Sequence, residues 1–337
     1  MSSRSGQIGI SLVELMIGVA LGLSIIAGAI SIFMGSKQGF RVQDSAGQMQ
    51  ESARFGINYI SQLIRSADFW SGVNPAFITL GSHTISGPKA AKTCNQEWIA
   101  NVLDGLHGYQ GAAKPPIDCI TPADYVAQSD MLAIRRVDPD TFTPVEKIID
   151  KDHIQRNYVR ARVGHDGYLY QGSQSAEADL RIPNGDGVLD YEYDFQLLFL
   201  RPCNVKQGSA CSAQSKTPTL VSLQLQTDGG VSQIALVDNV EQMKFEYGVD
   251  TNIDQVVDSY QQANTISDWN KVLSVRAYIM VRGSALDKFK DKQTYAMGTG
   301  FCHGPAQSTC QSKYSGYEGY QRRLITEDIL IRNRVRQ

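Results

Sequence analysis

Residues 9–34 read GISLVELMIGVALGLSIIAGAISIFM, and this stretch decides the fold. From Ile10 to Met34 it is almost wholly apolar, and Glu14 is the only ionisable side chain within it. As an α-helix these residues span about 37 Å, which exceeds the ~30 Å hydrocarbon core of a bilayer. The stretch therefore predicts a helix that crosses a membrane with some tilt.

The polar residues before this helix predict a leader that is removed. MSSRSGQIG carries one positive charge, at Arg4, and the composition changes at Gly9. A secretory signal has a shorter apolar region followed by a small-residue cleavage site, and no such site follows Met34. The Glu14 carboxylate needs a cation in lipid, and the apolar segment holds no Lys or Arg. Cleavage between Gly9 and Ile10 would supply that cation as a free α-amino group.

Beyond Lys37 the apolar pattern continues as an amphipathic stripe. Apolar residues recur at three- and four-residue steps, as Phe40, Ala46, Met49, Ala53, Ile57, Ile60, Leu63, Ile64 and Ala67. One helix from Ile10 to about Ala67 is therefore predicted. Residues 10–34 are interpreted as its membrane and filament-core half, and residues 35–70 as its amphipathic half.

The remaining residues, 71–337, predict a globular β-rich head. Residues 71–122 show little periodicity and are interpreted as a long loop. Strands are predicted at 130–137, 191–201, 220–226, 231–237, 241–249, 271–282 and 323–332. Asp228-Gly229-Gly230 predicts a hairpin turn between two of these strands. A long helix followed by short strands fits an α+β fold, in which the helix packs on a head with an antiparallel β-sheet.

Cysteine spacing predicts disulfides in this head. The six cysteines fall into three sequence-local pairs: Cys94 and Cys119, Cys203 and Cys211, Cys302 and Cys310. None forms a CxxC or lies beside a His at zinc-ligand spacing, so disulfides are favoured if the head is exported. Of fifteen pairings, nearest neighbours are favoured because each pair brackets a short loop rich in Gly, Ser, Gln or Pro. Free buried thiols remain the alternative.

The N-terminal motif Gly9-Ile10-Ser11-Leu12-Val13-Glu14-Leu15-Met16-Ile17 resembles the class III signal of type IV prepilins and type II secretion pseudopilins. The resemblance implies a prepilin peptidase that cleaves after Gly9 and methylates Ile10. It also implies that Glu14, the fifth mature residue, neutralises the terminal amine of a neighbouring subunit during assembly. Ile10 stands where that family usually has Phe, a departure that bears more on methylation than on cleavage. A plain signal anchor with an isolated glutamate is the alternative.

Three further segments, at 48–68, 247–250 and 322–333, resemble the PilW family of minor pilins. The resemblance implies a minor pilin that primes type IV pilus assembly and sits at or near the tip, supporting twitching motility, adhesion and DNA uptake. Its implied partners are PilV-, PilX- and FimU-like minor pilins, a PilY-type tip adhesin, the major pilin, prepilin peptidase and the inner-membrane assembly platform. The implied location is the inner membrane, with the head in the periplasm, and after assembly the pilus at the cell surface.

Two other functions stay open. A J-type minor pseudopilin of a type II secretion system has a similar plan, and a membrane-anchored periplasmic domain of other function is the second alternative. The sequence predicts no enzyme, because it contains no HExxH, GxSxG or Walker glycine loop. Its five histidines are scattered, at His83, His107, His153, His165 and His303.

One polar loop has the spacing of a calcium site. Oxygen-bearing side chains occupy positions 1, 3, 5 and 9 of an EF-hand-like loop, as Asp250, Asn252, Asp254 and Asp258. Gln255 stands in place of the usual glycine at position 6, and Gln261 in place of the bidentate glutamate at position 12. A Ca²⁺ site and a solvated turn between strands both stay open, and no cofactor is required.

The C-terminal arginines form a basic cluster, Arg322, Arg323, Arg332, Arg334 and Arg336. Glu327 and Asp328 interrupt it, so a terminal strand with a solvated charged face is favoured. The whole chain is nearly balanced in charge, with 32 Lys and Arg against 34 Asp and Glu. Nucleic acid is therefore not expected as a direct partner.

Overall fold

The structure, a computed structural model, describes residues 11–81, 85, 94–143, 148, 153–174, 182–208, 210–212, 215–284, 286, 290–314 and 316–334. The predicted leader 1–9 and Ile10 lie outside the described residues. The chain divides into two compact units, Met1–Gln48 and Met49–Gln337.

The first element is the long predicted helix. Helix α1 spans Leu12–Ser66, within two residues of the predicted bounds. It begins where the Ser11 hydroxyl accepts the N–H of Val13 at 3.3 Å, as a helix N-cap does. After its last turn Asp68 adopts a left-handed φ of 62°, which takes the backbone out of helical geometry. Phe40, which the predicted stripe included, is 72% exposed.

The part of α1 that belongs to the second unit buries seven residues of the stripe, whereas Ala46 is partly exposed. The buried residues are Met49, Ala53, Ile57, Ile60, Leu63, Ile64 and Ala67, and they lie in one core cluster with residues of the head. Their spacing places them on one face of the helix. Each large aliphatic side chain buried there stabilises the fold by about 1.5–3 kcal/mol, so this face fixes the helix to the head.

One short α-helix, several 3₁₀ turns and many strands make up the rest of the described part of the second unit. The strands are β1 Ile78–Leu80, β2 Leu106–Tyr109, β3 Met131–Phe142, β4 Asn157–Arg162, β5 Gly167–Gln171, β6 Val188–Arg201, β7 Lys206–Gln207, β8 Ala210–Cys211, β9 Thr219–Leu225, β10 Val231–Asp238, β11 Val240–Val249, β12 Ser259–Gln261, β13 Val272–Arg282, β14 Tyr295–Ala296, β15 Cys302–Gly304, β16 Ser312–Lys313 and β17 Arg322–Leu330. Helix α2 spans Gln96–Ile99, and a 3₁₀ turn spans Trp269–Lys271.

The strands form two main sheets rather than the single sheet predicted. An eight-stranded sheet has the order β1-β5-β4-β6-β3-β2, with β9 also on β6 and β10 on β9, and the second sheet has the order β12-β11-β13-β17. The first is antiparallel except for β1 and β5, which run parallel. Asn239, between β10 and β11, has a left-handed φ of 65°. That one residue turns the chain out of the first sheet and into the second.

Two hydrophobic cores hold these layers together. The first joins α1 to the four-stranded sheet and includes Ile60, Phe245 and Ile279. The second includes Trp70 and Phe195 and lies with the eight-stranded sheet. Side chains alternate across a strand, so adjacent residues of β6 serve different cores: Leu198 lies in the first and Phe199 in the second.

Sequence patterns located seven of the seventeen strands in the described part of the chain. Each of the seven predicted strands corresponds to one in the structure, and the α+β fold with a long N-terminal helix is confirmed. The hairpin at Asp228-Gly229-Gly230 pairs Val231 with Leu225, and Gly229 has the positive φ, 78°, that such a turn requires. Strands β4 and β5 were not predicted. The interpretation of 71–122 as loop is also wrong in part, since that region holds β1, α2 and β2.

The end of the described chain closes against the end of α1. The Arg334 guanidinium donates to the buried Asp68 carboxylate at 2.7 Å, and the Asn333 amide donates to the Ala67 carbonyl at 2.9 Å. The backbone N–H of Arg332 reaches the Arg65 carbonyl at 3.4 Å. We call these three contacts the terminal clasp. It joins segments 266 residues apart in the chain.

Candidate functional site

The first part of α1 carries a large exposed apolar surface. Its large side chains are each more than half exposed, as Leu12, Val13, Leu15, Met16, Ile17, Val19, Leu21, Leu23, Ile25, Ile26, Ile30, Ile32, Phe33 and Met34. An 18-residue window of the helix has a mean hydropathy of 2.4 and no buried residue. Exposed apolar area of this extent marks a membrane or protein contact. By length and composition, α1 is a candidate membrane anchor.

Glu14 lies in the first turn of this helix and is exposed. A carboxylate near a helix N-terminus interacts favourably with the helix dipole and with the N–H groups that lack a helical partner. The predicted processing residues Gly9 and Ile10 lie outside the described residues. The structure therefore gives the position of the glutamate, and the cleavage site stays a prediction.

Three disulfides close loops in the head. They join Cys94 to Cys119, Cys203 to Cys211 and Cys302 to Cys310, which is the nearest-neighbour pairing favoured by the sequence. The second and third each close a loop of 8 residues in sequence separation. A short closed loop has few conformations in the unfolded chain, so each bridge stabilises the head.

The loop between β11 and β12 has oxygen side chains that bind its own backbone. The Asp250 carboxylate, 4% exposed, accepts the N–H groups of Ile253 at 2.6 Å and Gln255 at 2.8 Å. Two exposed oxygens act in the same way: Asn252 Oδ1 accepts from Asp254 at 3.1 Å, and Asp258 Oδ2 from Thr251 at 2.7 Å. The hydrogen bonds from Thr251 also lower the pKa of Asp258. These bonds fold the loop into a compact turn.

Calcium binding by this loop stays a prediction. Over the parts of the chain that the structure describes, no group of three or more His, Cys, Asp and Glu side chains is placed to hold a metal ion. The four predicted ligands, Asp250, Asn252, Asp254 and Asp258, lie together in one turn, but their oxygens are directed at backbone N–H groups.

Replacing Asp250 with alanine is expected to lower the free energy of unfolding by about 1–3 kcal/mol, because partly buried N–H groups of the loop lose their acceptor. Urea denaturation of the purified full-length chain in detergent micelles measures the effect. Asn252→Ala, at an exposed position of the same loop, is the matched control and should have a smaller effect. An equal loss in both variants would contradict the role given to Asp250. Calcium binding is tested by adding Ca²⁺ to EDTA-treated protein. The ion should raise the urea concentration at the unfolding midpoint in the wild type but not in Asp250→Ala.

Two of the five clustered C-terminal arginines are buried in ion pairs. Arg322 donates to the Glu241 carboxylate at 2.5 and 3.0 Å and lies 3.3 Å from Asp291, and Arg334 binds Asp68. Arg336 lies outside the described residues. Pairing and burial remove these two guanidinium groups from the surface.

Glu241 organises a polar cluster that sequence reasoning did not find. Burial raises its pKa, but the hydrogen bonds from Arg322 and the nearby His303 ring outweigh this and lower the pKa overall. Its partners come from β15 and β17, and Arg322 lies 81 residues along the chain. No local sequence pattern marks such a cluster, because each member taken alone is an ordinary polar or charged residue in a strand.

Three of the histidines in the described part of the chain contact a polar side chain. His107 pairs with Asp104 at 2.8 Å, and His153 contacts the Tyr158 hydroxyl at 3.0 Å. His303 belongs to the Glu241 cluster, and His83 lies outside the described residues. The His107 and His153 pairs contain no Ser or Cys nucleophile, whereas His303 Nδ1 lies 2.9 Å from the Ser312 hydroxyl.

Comparison with known families supplies the assignment. A family model described as PilW, type IV pilus-assembly protein W, matches residues 204–333. The match covers 130 of the 337 residues, so this region of the chain is similar to PilW. The match covers β7 to β17 and includes two of the three segments that resembled PilW in the sequence, 247–250 and 322–333. No curated protein and no solved structure matches the chain significantly.

The match supports the assignment of a type IV pilus-related role of minor-pilin type to this chain. The same assignment implies interaction with other pilus components. The exposed apolar helix agrees with such a role, because it is a candidate membrane anchor.

Proposed function

We propose that this protein is a minor pilin that primes type IV pilus assembly and sits at or near the pilus tip. The observation that carries the proposal is the PilW match over residues 204–333, on a chain that also bears the exposed apolar helix α1. Its role is structural, without catalysis. Twitching motility, adhesion and DNA uptake would then depend on it through the filament.

Processing at the N-terminus prepares the chain for assembly. Prepilin peptidase cuts between Gly9 and Ile10 and methylates the new terminus. Residues 10–34 then serve as transmembrane and filament-core segment, residues 35–70 as the amphipathic half of the helix, and residues 71–337 as the periplasmic head. Glu14 neutralises the terminal amine of a neighbouring subunit in the filament, where an unpaired carboxylate is costly.

Before assembly the protein is held in the inner membrane by one span, and afterwards it belongs to the pilus at the cell surface. Its partners are minor pilins of the PilV, PilX and FimU types, a PilY-type tip adhesin, the major pilin and the inner-membrane assembly platform. The support for these partners is the PilW match.

A deletion strain tests the proposal against its alternative, a J-type pseudopilin of type II secretion. Loss of surface pili and of twitching, with exoprotein secretion unchanged, is the expected result. Complementation with the full-length chain should restore both. Loss of secretion with normal piliation would overturn the proposal in favour of the pseudopilin, and an unchanged phenotype in both assays would favour a periplasmic domain of other function.

A further inference from the structure

A cavity of about 310 Å³ lies in the head beside the Glu241 cluster. Its walls come from strand ends and from the two segments closed by the short disulfides. Pro202, Lys216 and Pro218 flank the Cys203–Cys211 loop, and His303, Ser312 and Lys313 flank the Cys302–Cys310 loop. The bridges restrict both segments, so this cavity is held in shape more firmly than a groove between free loops.

Positive charge predominates among the side chains that line this cavity. Lys216, Arg282 and Lys313 are cationic, and Glu241 is the only acidic residue of the lining. Arg322 already binds both oxygens of that carboxylate, at 2.5 and 3.0 Å. The lining therefore keeps positive charge that no acidic side chain of the cavity balances.

Arg282 is a buried cation with an unmet hydrogen-bond donor. Its side chain is 4% exposed, and one terminal nitrogen donates to the Lys216 carbonyl at 2.6 Å. The other lies 3.9 Å from Glu241, and Nε has no hydrogen-bond partner. The ring of Tyr320, 4.5 Å away, fixes the guanidinium in place. Such a donor costs about 1–3 kcal/mol when nothing accepts from it, so its presence calls for an acceptor.

His303 is a second unmet group on the same wall. It is 2% exposed, and its Nδ1 lies 2.9 Å from the Ser312 hydroxyl. Its Nε2 has no hydrogen-bond partner, since the nearest acidic oxygen, on Glu241, is 3.6 Å away. Two buried nitrogens on separate strands, β13 and β15, therefore lack hydrogen-bond partners beside one cavity.

We propose that this cavity binds a carboxylate group, which accepts hydrogen bonds from Arg282 and His303 and is attracted by Lys216 and Lys313. A planar carboxylate matches the planar guanidinium fork. The volume is near the lower limit of about 300–1,000 Å³ for ligand pockets, so the bound group is small. Val126, Pro202 and Pro218 give the lining an apolar part that suits the hydrocarbon next to the carboxylate.

The carboxylate comes either from a small organic acid or from an acidic side chain of a polypeptide. The chemistry of recognition is the same, and the experiment separates the two sources. The inference rests on the geometry of residues in the head, so it does not depend on the proposed role in pilus assembly.

Calorimetric titration of the full-length chain in detergent micelles tests the site with paired probes. Benzoate is compared with benzamide, and the capped peptide acetyl-Gly-Asp-Gly-amide with its Asn counterpart. At least one carboxylate probe should bind saturably, at least tenfold tighter than its neutral partner. Preference for benzoate identifies a small acid as the source, and preference for the Asp peptide identifies a polypeptide. Equal affinity within both pairs overturns the proposal.

Variants locate the binding on this cavity. Arg282→Gln should weaken binding at least tenfold. Because Arg282 is buried and its loss affects folding, the double variant Lys216→Gln/Lys313→Gln removes only exposed charges and should weaken binding at least threefold. Lys114→Gln, at an exposed lysine outside the cavity, is the matched control and should bind as the wild type does. Unchanged affinity in the double variant would show that the probe binds elsewhere and would overturn the site.

Discussion

Replacing Glu14 with leucine is expected to remove the protein from isolated pili while leaving it in the inner membrane. The substitution makes the first turn of α1 more apolar, so membrane insertion is kept. It removes the only acidic residue of that turn, and with it the proposed partner for a neighbouring terminal amine. Immunoblots of sheared pili and of membrane fractions measure the effect, and we expect at least a tenfold loss from the pilus fraction.

Two comparisons make the Glu14 result specific. Glu14→Asp keeps the carboxylate and should retain partial incorporation, whereas Glu51→Leu removes an exposed glutamate further along α1 and should have little effect. Mass spectrometry of the N-terminal peptide should show a chain that starts at Ile10 in all variants, and one that starts at Met1 in a strain without prepilin peptidase. Normal incorporation of Glu14→Leu would contradict the assembly role of this residue.

Replacing Arg160 with methionine is expected to destabilise the head by about 3–5 kcal/mol, because it leaves the buried Asp190 carboxylate without its cation. Arg160 is 0% exposed and binds both oxygens of Asp190, at 2.9 and 2.7 Å. The Tyr170 hydroxyl donates to the same carboxylate at 2.7 Å and cannot replace the charge. Urea denaturation of the full-length chain in micelles measures the loss.

The same strand supplies the control for Arg160. Arg162, two residues along β4, forms an ion pair with Asp166 in which the side chains are 49% and 44% exposed. Such surface pairs contribute about 0–1 kcal/mol, so Arg162→Met should be nearly neutral. The double variant Arg160→Met/Asp190→Leu removes both buried charges and should regain much of the lost stability. Equal losses of stability in Arg160→Met and Arg162→Met would contradict the argument. They would show that breaking the Arg160–Asp190 pair does not leave a costly buried charge.

The sequence was most informative where structure depends on neighbours along the chain. Helix α1 was predictable because apolar residues repeat at helical spacing and no proline interrupts them. The hairpin at Gly229 was predictable because its glycines permit the positive φ that the turn needs. Both patterns depend on residues close together in the chain. Short-range patterns of this kind predicted helix α1 and seven strands within a few residues of their observed bounds.

The missed elements depend on partners far away in the chain. Strand β1 has three residues and exists by pairing in parallel with β5, so no local pattern marks it. Strand β4 contains Arg160, whose charge interrupts the apolar pattern and is tolerated only because Asp190 and Tyr170 bind it. The division into two sheets could not be predicted either, because it depends on long-range pairing and on a left-handed residue, Asn239, between two strands.

The candidate sites follow the same rule. The oxygen-rich loop that starts at Asp250 could be predicted because its residues are close together in the chain. Glu14 could be predicted because it is the only ionisable residue in the apolar segment. The cavity beside Glu241 was invisible, because it collects residues from β11, β13, β15 and the 202–218 segment. Sequence spacing does not show which residues far apart in the chain come together in the folded head.

The terminal clasp has a consequence for the order of folding. Ribosomes make the chain from its N-terminus, so α1 is complete long before Arg334 exists to bind Asp68. Closing a loop of 266 residues carries an entropic cost that grows with loop length, and contacts of this separation form late. Strand β17 and the terminal clasp therefore form last, after helix α1 has been synthesised. A chain that is truncated before the terminal clasp lacks these contacts, so the end of α1 is not joined to the C-terminal segment.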